Sequence, residues 1–141
     1  MKLTRRILIA IPLVVALCVA AIWIALASMG ILDSGKFEIV QSQKLSSDHI
    51  AMLARRSDHT ALSGDTYFVV IDSHVYTSQE LKKAFYSSRP VFVAGRDGLE
   101  IHVFASNVLI IECKDCGITK DLFEKQYFSQ DGIVIRYVGF P

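Results

Sequence analysis

The sequence predicts an α+β protein: one N-terminal transmembrane helix, then a small domain dominated by an antiparallel sheet with one or two packed helices. Three observations predict it. Residues 7–27 run without a single charged side chain. Beyond them, short segments rich in β-branched and aromatic residues recur, each bounded by Gly, Ser, Asn or Asp. Among these lies one segment that opens on a Thr-x-x-Glu helix-start signature, Thr77 to Glu80. Short strands joined by local turns, with helices on one face, make an α+β domain. The chain has 141 residues, enough for one domain and not for two.

The apolar run is the first element. Its 21 residues, Ile7 to Ala27, span roughly 31 Å as a helix and match a hydrocarbon core about 30 Å thick. Pro12 falls in the first two turns, where a spanning helix tolerates it. Lys2, Arg5 and Arg6 crowd one flank (1–6), while the other offers only Asp33 and Lys36 nearby. Basic flanks stay in the cytoplasm, so the N-terminus is expected inside and the domain periplasmic or otherwise extracytoplasmic, tethered to the inner (plasma) membrane. A cleavable signal peptide competes with the anchor, because Ala25-Leu26-Ala27 satisfies an A-x-A cleavage pattern. The run is longer than the about 7–15 residues of a signal h-region, and it continues through Met29, Ile31 and Leu32, which favours the uncleaved anchor. Cys18 is preceded by Leu17 where a lipobox needs a small residue, so lipidation is set aside.

Residues 28–36 make a juxtamembrane linker, ending in Asp33-Ser-Gly-Lys36, and 37–141 the exported domain. Phe37–Val40 reads as a first strand, and Leu45-Ser-Ser-Asp48 as a turn whose Ser and Asp side chains bond nearby backbone. His49–Arg56 fits a helix by propensity and a strand by alternation of Ile50, Met52 and Ala54. Strand, Ser-x-Asp turn, then a strand ending in Arg55-Arg56 resembles the S-P-D-G-K-x-x-A hairpins of β-propeller blades, with Ser47 and His49 in place of the Pro and Gly. It is also similar to the start of small envelope-anchored bacterial proteins. The resemblance covers about fifteen residues, implies a strand over 49–56, and implies no activity.

Thr66–Asp72 is the clearest strand, rich in β-branched and aromatic residues. Thr77 and Glu80 open a helix over Ser78–Tyr86 with Leu81, Ala84 and Phe85 inward, ended by Arg89-Pro90. Val91–Ala94, Arg96-Asp97-Gly98 and Leu99–Phe104 read as a hairpin, because Asp-Gly supplies the positive φ angles of a tight turn. Ser106-Asn107 makes the next turn into the apolar run Val108–Ile111, suited to a central strand. Thr119 is expected to cap a second helix through about Phe128, and Asp131-Gly132 turns the chain into the last strand, Ile133–Val138.

Charge narrows the function classes. With Lys2, Arg5 and Arg6 set aside, 12 basic residues stand against 14 acidic ones, which leaves no basic footprint for nucleic acid or for adhesion to anionic lipid. Cys113-Lys-Asp-Cys116 is the most suggestive motif. A CxxC can hold a reactive thiolate at a helix N-terminus, but only about twenty-five residues follow, too few for a thioredoxin-like framework. A structural disulfide is the expectation. A zinc site would need four ligands, and only His102 offers a third beside the two cysteines, so no metal is expected. His49, His59, His74 and His102 lack metal-ligand spacing, and the chain contains no G-x-S-x-G elbow and no phosphate-binding glycine loop. No catalytic residue and no cofactor is therefore expected.

The remaining expectation is a membrane-tethered binding module of the cell envelope, accessory or immunity-type, acting on another protein. Its candidate partner-surface residues are Tyr86, Arg89, Arg96 and Tyr127, since interface anchors concentrate in Tyr, Trp and Arg. The alternative is an envelope thiol-redox or hydrolytic enzyme using Cys113 and Cys116 or a His/Asp/Ser set.

Overall fold

The computed structural model describes residues 2–46, 48–58, 64–95, 97–116 and 123–140. The chain divides into two compact units, Met1–Asp33 and Ser34–Pro141.

The first unit is α1 (Lys2–Ser28) with its C-terminal turn. It runs longer than the apolar stretch and is long and apolar enough to cross a membrane, with a mean hydropathy of 2.5 over residues 11–28. Such a helix serves as an anchor or as a signal sequence. Gly30 terminates it at φ 68°. The Gly30 N–H donates to Ala27 O and the Ile31 N–H to Leu26 O, a Schellman arrangement that only a residue tolerant of positive φ closes without strain.

The second unit is α+β, with β1 (Lys36–Lys44), β2 (Ile50–Ser57), β3 (Thr66–Asp72), α2 (Ser78–Phe85), β4 (Phe92–Ala94), β5 (Leu99–Ala105), β6 (Val108–Cys113), β7 (Phe123–Gln126), β8 (Ser129–Gln130) and β9 (Ile133–Val138). Two sheets form, ordered β1-β2-β3-β4-β7 and β5-β6-β9-β8. Antiparallel pairing dominates, and β6 and β9 pair in parallel.

The burial pattern explains the layering. Phe37, Met52, Ala54, Phe68, Val70 and Val93 share one core with Leu81 and Ala84 of α2. Ala51, Leu53, Val69, Ile71, Phe92 and Ala94 share another with Leu99, Ile101, Leu109, Ile111, Ile133 and Ile135 of the second sheet. The first sheet is thus the middle layer, buried on both faces. That accounts for its continuous apolar runs Ala51–Ala54, Phe68–Ile71 and Val91–Ala94, since a strand covered on both sides has no polar face to alternate. The other face of the second sheet carries the mixed set Glu100, His102, Phe104, Ile110, Glu112 and Val134, none of them buried.

β1 changes faces part-way. Its register against β2 slips between Ile39 (opposite Ala54) and Gln41 (opposite Leu53), leaving Val40 as the extra residue of a β-bulge. Phe37 and Ile39 therefore face α2, while Gln41 and Leu45 face the second sheet. One inserted residue flips every later side chain across a strand of period two.

α2 starts as its sequence dictates, with Thr77 as N-cap and a complete capping box with Glu80. Two expectations are corrected. Phe92–Ala94 and Leu99–Ala105 do not form a hairpin. β4 pairs with β3 and β7, and β5 pairs with β6, so the chain changes sheets between the end of β4 and the start of β5. The Asp-Gly pair supplies its positive φ, 78° at Gly98, to a crossing instead of a tight turn. The second helix through Phe128 is also replaced, because Phe123–Gln126 is strand β7, paired antiparallel to β4. The expected cap, Thr119, lies outside the described residues. A helix there would leave the N–H and C=O groups of β4 on that side without ladder partners, a cost that outweighs weak local propensity.

Candidate functional site

The best-organised polar cluster lies where α2 joins the middle sheet. Asp72 closes β3, Tyr76 sits in the connection to α2, and Arg89 follows α2. All three flank the same helix, and the fold brings them together beside it. The Arg89 guanidinium donates from Nη1 to Asp72 Oδ2 at 2.7 Å and to the Tyr76 hydroxyl, which itself donates to Asp72 Oδ2. Tyr76 is anchored beneath, its backbone N–H donating to the sulfur of the buried Met52 at 3.3 Å. The Arg89 side chain is nevertheless 62% exposed, so its charge is held in place and presented to solvent.

The carboxylates are tuned to stay ionised. The Tyr76 hydroxyl, then Ser73 and Arg89, hold Asp72 below the ordinary carboxylate range against the opposing effect of partial burial. Burial, followed by the neighbouring Asp72, pushes the Tyr76 hydroxyl up. Glu80 accepts the Thr77 backbone N–H at 2.7 Å and faces His74 Nε2 at 3.1 Å, and with the Thr77 hydroxyl these hold its pKa down to about 2. A general acid needs a proton to give near neutral pH. These carboxylates have none, and serve as fixed acceptors that orient a histidine, a tyrosine and an arginine.

Two open clefts flank Arg89. One, of about 380 Å³, is lined by His74, Tyr76, Glu80, Lys83, Ser87 and Arg89. The other, of about 320 Å³, is lined by His49, Asp72, Ser73, Arg89, Gln130 and Asp131. Asp131 and Gly132 both take positive φ, 51° and 79°, in the two-residue turn between β8 and β9, and Asp131 thereby lines the second cleft.

Of the sequence-predicted surface residues, Arg89 is central. Tyr86 is the C-cap of α2, half-buried, with its ring edge-on to Phe85 at 5.1 Å, so it packs more than it projects. Tyr127 follows β7 and is tied by its backbone, its N–H donating to Val91 O and its carbonyl accepting from the Tyr137 hydroxyl. It lines neither cleft at Arg89. Arg96 and His59 lie outside the described residues. Sequence reasoning missed Asp72, His74, Tyr76 and Glu80 as a group. The available signal was an alternating Asp-x-His-x-Tyr between the clearest strand and a capping box.

Cys113 and Cys116 are joined in a disulfide with Cα atoms 5.6 Å apart. Both are buried, 3% and 2% exposed, within the core between the sheets. Gly139 packs over Cys113 at φ +76°, where any Cβ would run into the Cys113 carbonyl oxygen. Thiol–disulfide exchange needs a sulfur that an attacking thiolate can reach, and neither cysteine presents more than 3% of its surface. His102 cannot join them, because Leu99 and Ile101 take the core face of β5 and His102 the opposite one. There it meets Glu100 and Glu112, and one ligand atom from each of the three lies within 4.8 Å of the others. Comparison of the chain with family models, with curated proteins and with solved structures finds no match.

Proposed function

We propose that the chain is a membrane-tethered, non-catalytic binding module of the cell envelope, accessory or immunity-type, that engages another protein through the surface around Arg89. In this reading α1 stays uncleaved in the plasma membrane, with its basic N-terminus in the cytoplasm and the folded unit outside. The observation that carries the proposal is the preorganised guanidinium. Arg89 is exposed yet locked by Asp72 and Tyr76 between two open clefts. Arginine is enriched among binding hot spots, and a side chain already fixed in its bound geometry loses little entropy on association.

Site-specific photo-crosslinking in intact membranes tests it. A crosslinker at Lys83, Ser87 or Gln130, all lining the clefts, should give an adduct of one discrete mass. The same group at Glu38 or Val138, outside both clefts, should not, and Arg89→Ala should abolish the adduct in a chain that still folds. Adducts equally strong from Val138, or indifferent to Arg89→Ala, would overturn the assignment of the surface.

A further inference from the structure

On the face of the second sheet turned away from the core, β5 and β6 place two glutamates in direct opposition. Glu100 pairs with Glu112 in the antiparallel register, and His102 lies two residues along β5 on the same face. Like charges directly opposite each other across an antiparallel pair are destabilising. Positive charge near the pair relieves that repulsion. Lys114 supplies part of that charge, its ammonium bonding Glu100 Oε1. The second Glu100 oxygen, Oε2, and Glu112 Oε2 instead turn toward the imidazole.

The distances at the imidazole fit a shared ion. His102 Nε2 stands 3.4 Å from Glu100 Oε2 and 3.2 Å from Glu112 Oε2. A charge-assisted bond from an imidazolium to a carboxylate is shorter, about 2.7–2.9 Å. The edge of a tetrahedron of nitrogen and oxygen ligands about 2.0–2.1 Å from a zinc ion is about 3.3 Å long. Both separations sit close to that edge. One imidazole and two carboxylates, each half-exposed and open to solvent on the outer side, match three protein ligands with the remaining position left to water. Imidazole nitrogen selects zinc-like borderline ions over calcium and magnesium, which prefer all-oxygen shells.

We infer that Glu100, His102 and Glu112 form a binding site for a zinc-like divalent cation on the open face of the second sheet. The three ligand residues belong neither to the Arg89 cluster nor to the Cys113–Cys116 pair. Lys114 competes with the ion for Glu100, so the site is tuned to be weaker than its ligand set alone would make it.

Zn²⁺ titration of the full-length protein in a non-chelating detergent tests this, read by calorimetry and by the ¹⁵N shifts of the histidine side chains. One equivalent should bind, with the metal-ligation shift at Nε2 of His102. His102→Gln and Glu112→Gln should each weaken binding at least about tenfold, since even partners of ligands cost about 10–100-fold when removed. Lys114→Gln should tighten it by freeing Glu100. The three substitutions fall on exposed or half-exposed positions, and an unchanged amide spectrum verifies folding. The inference is overturned if the native chain shows no saturable site, if His102→Gln binds as tightly as native, or if Lys114→Gln weakens binding.

Discussion

The side-chain amide of Gln41 completes the edge of a strand sixty residues away. Its Nε2 donates to Ile101 O at 2.8 Å, and its Oε1 accepts from Ile101 N at 2.9 Å. β5 is the outer strand of its sheet, and an unpaired edge invites pairing with other chains. One glutamine thus stands in for a neighbouring strand and ties the two sheets together. The bulge at Val40 makes this possible, because without it Gln41 would face α2.

Gln41→Ala should therefore cost about 1–3 kcal/mol, the range for stranding half-buried backbone groups. Gln41→Glu should cost more at neutral pH, since a carboxylate cannot donate to Ile101 O and repels it. Urea unfolding of the full chain in detergent, followed by tryptophan-independent far-ultraviolet dichroism, measures both. Equal stability of Gln41→Ala and the native chain would show the bridge to be incidental.

The start of α2 should be sensitive to acid. Glu80 has its pKa lowered from about 4.5 to about 2, so it contributes stability that is present above its unfolded value and lost as pH falls through the folded one. The difference between native and Glu80→Gln should be full at pH 7, shrink below about pH 4.5 and vanish near pH 2. Thr77→Ala removes the cap hydroxyl and should cost about 1 kcal/mol at neutral pH. A pH-independent difference for Glu80→Gln would show that the capping box does not govern it.

Replacing Cys113 and Cys116 together with Ala should lower stability by about 2 kcal/mol, because the closed loop is only four residues long and little chain entropy is at stake. Binding through the Arg89 surface should survive. Loss of function in a folded double variant would favour thiol chemistry over a structural bridge.

Core and surface aromatics should separate cleanly. Phe92, fully buried between the sheets, packs edge-on against Phe140 at 5.5 Å, and Phe92→Ala should cost about 3–5 kcal/mol. Phe104 is 71% exposed, and Phe104→Ser should change stability by no more than about 0.5 kcal/mol. A large loss at Phe104 would mean that this face is covered in the native protein.

Alkaline phosphatase fused to the C-terminus should be active in intact cells, and the mature chain should retain Met1 or Lys2 at its start. A chain beginning at Ser28 by mass spectrometry would convert the anchor into a cleaved signal while keeping the export.

What the sequence determined by itself was local. The apolar run became α1, Thr66–Asp72 became β3 residue for residue, Thr77 and Glu80 placed the start of α2, and Asp131-Gly132 placed the last turn. Each is settled by contacts within a few positions or by the solvent alone, so composition and spacing suffice. Tertiary structure alone decided which strands pair. Phe123–Gln126 is a strand because β4 offers it an open edge about thirty residues upstream, and β9 lies parallel to β6 because the shared core recruits Ile133 and Ile135 against Leu109 and Ile111. Arg89, Asp72 and Tyr76 meet only because the chain leaves the middle sheet into α2 and returns beside its own exit. Glu100 and Glu112 face each other only through the β5–β6 register. Pairing is a sum of many weak long-range terms, each too small to mark any single residue, and so the sites that depend on it are invisible until the chain is folded.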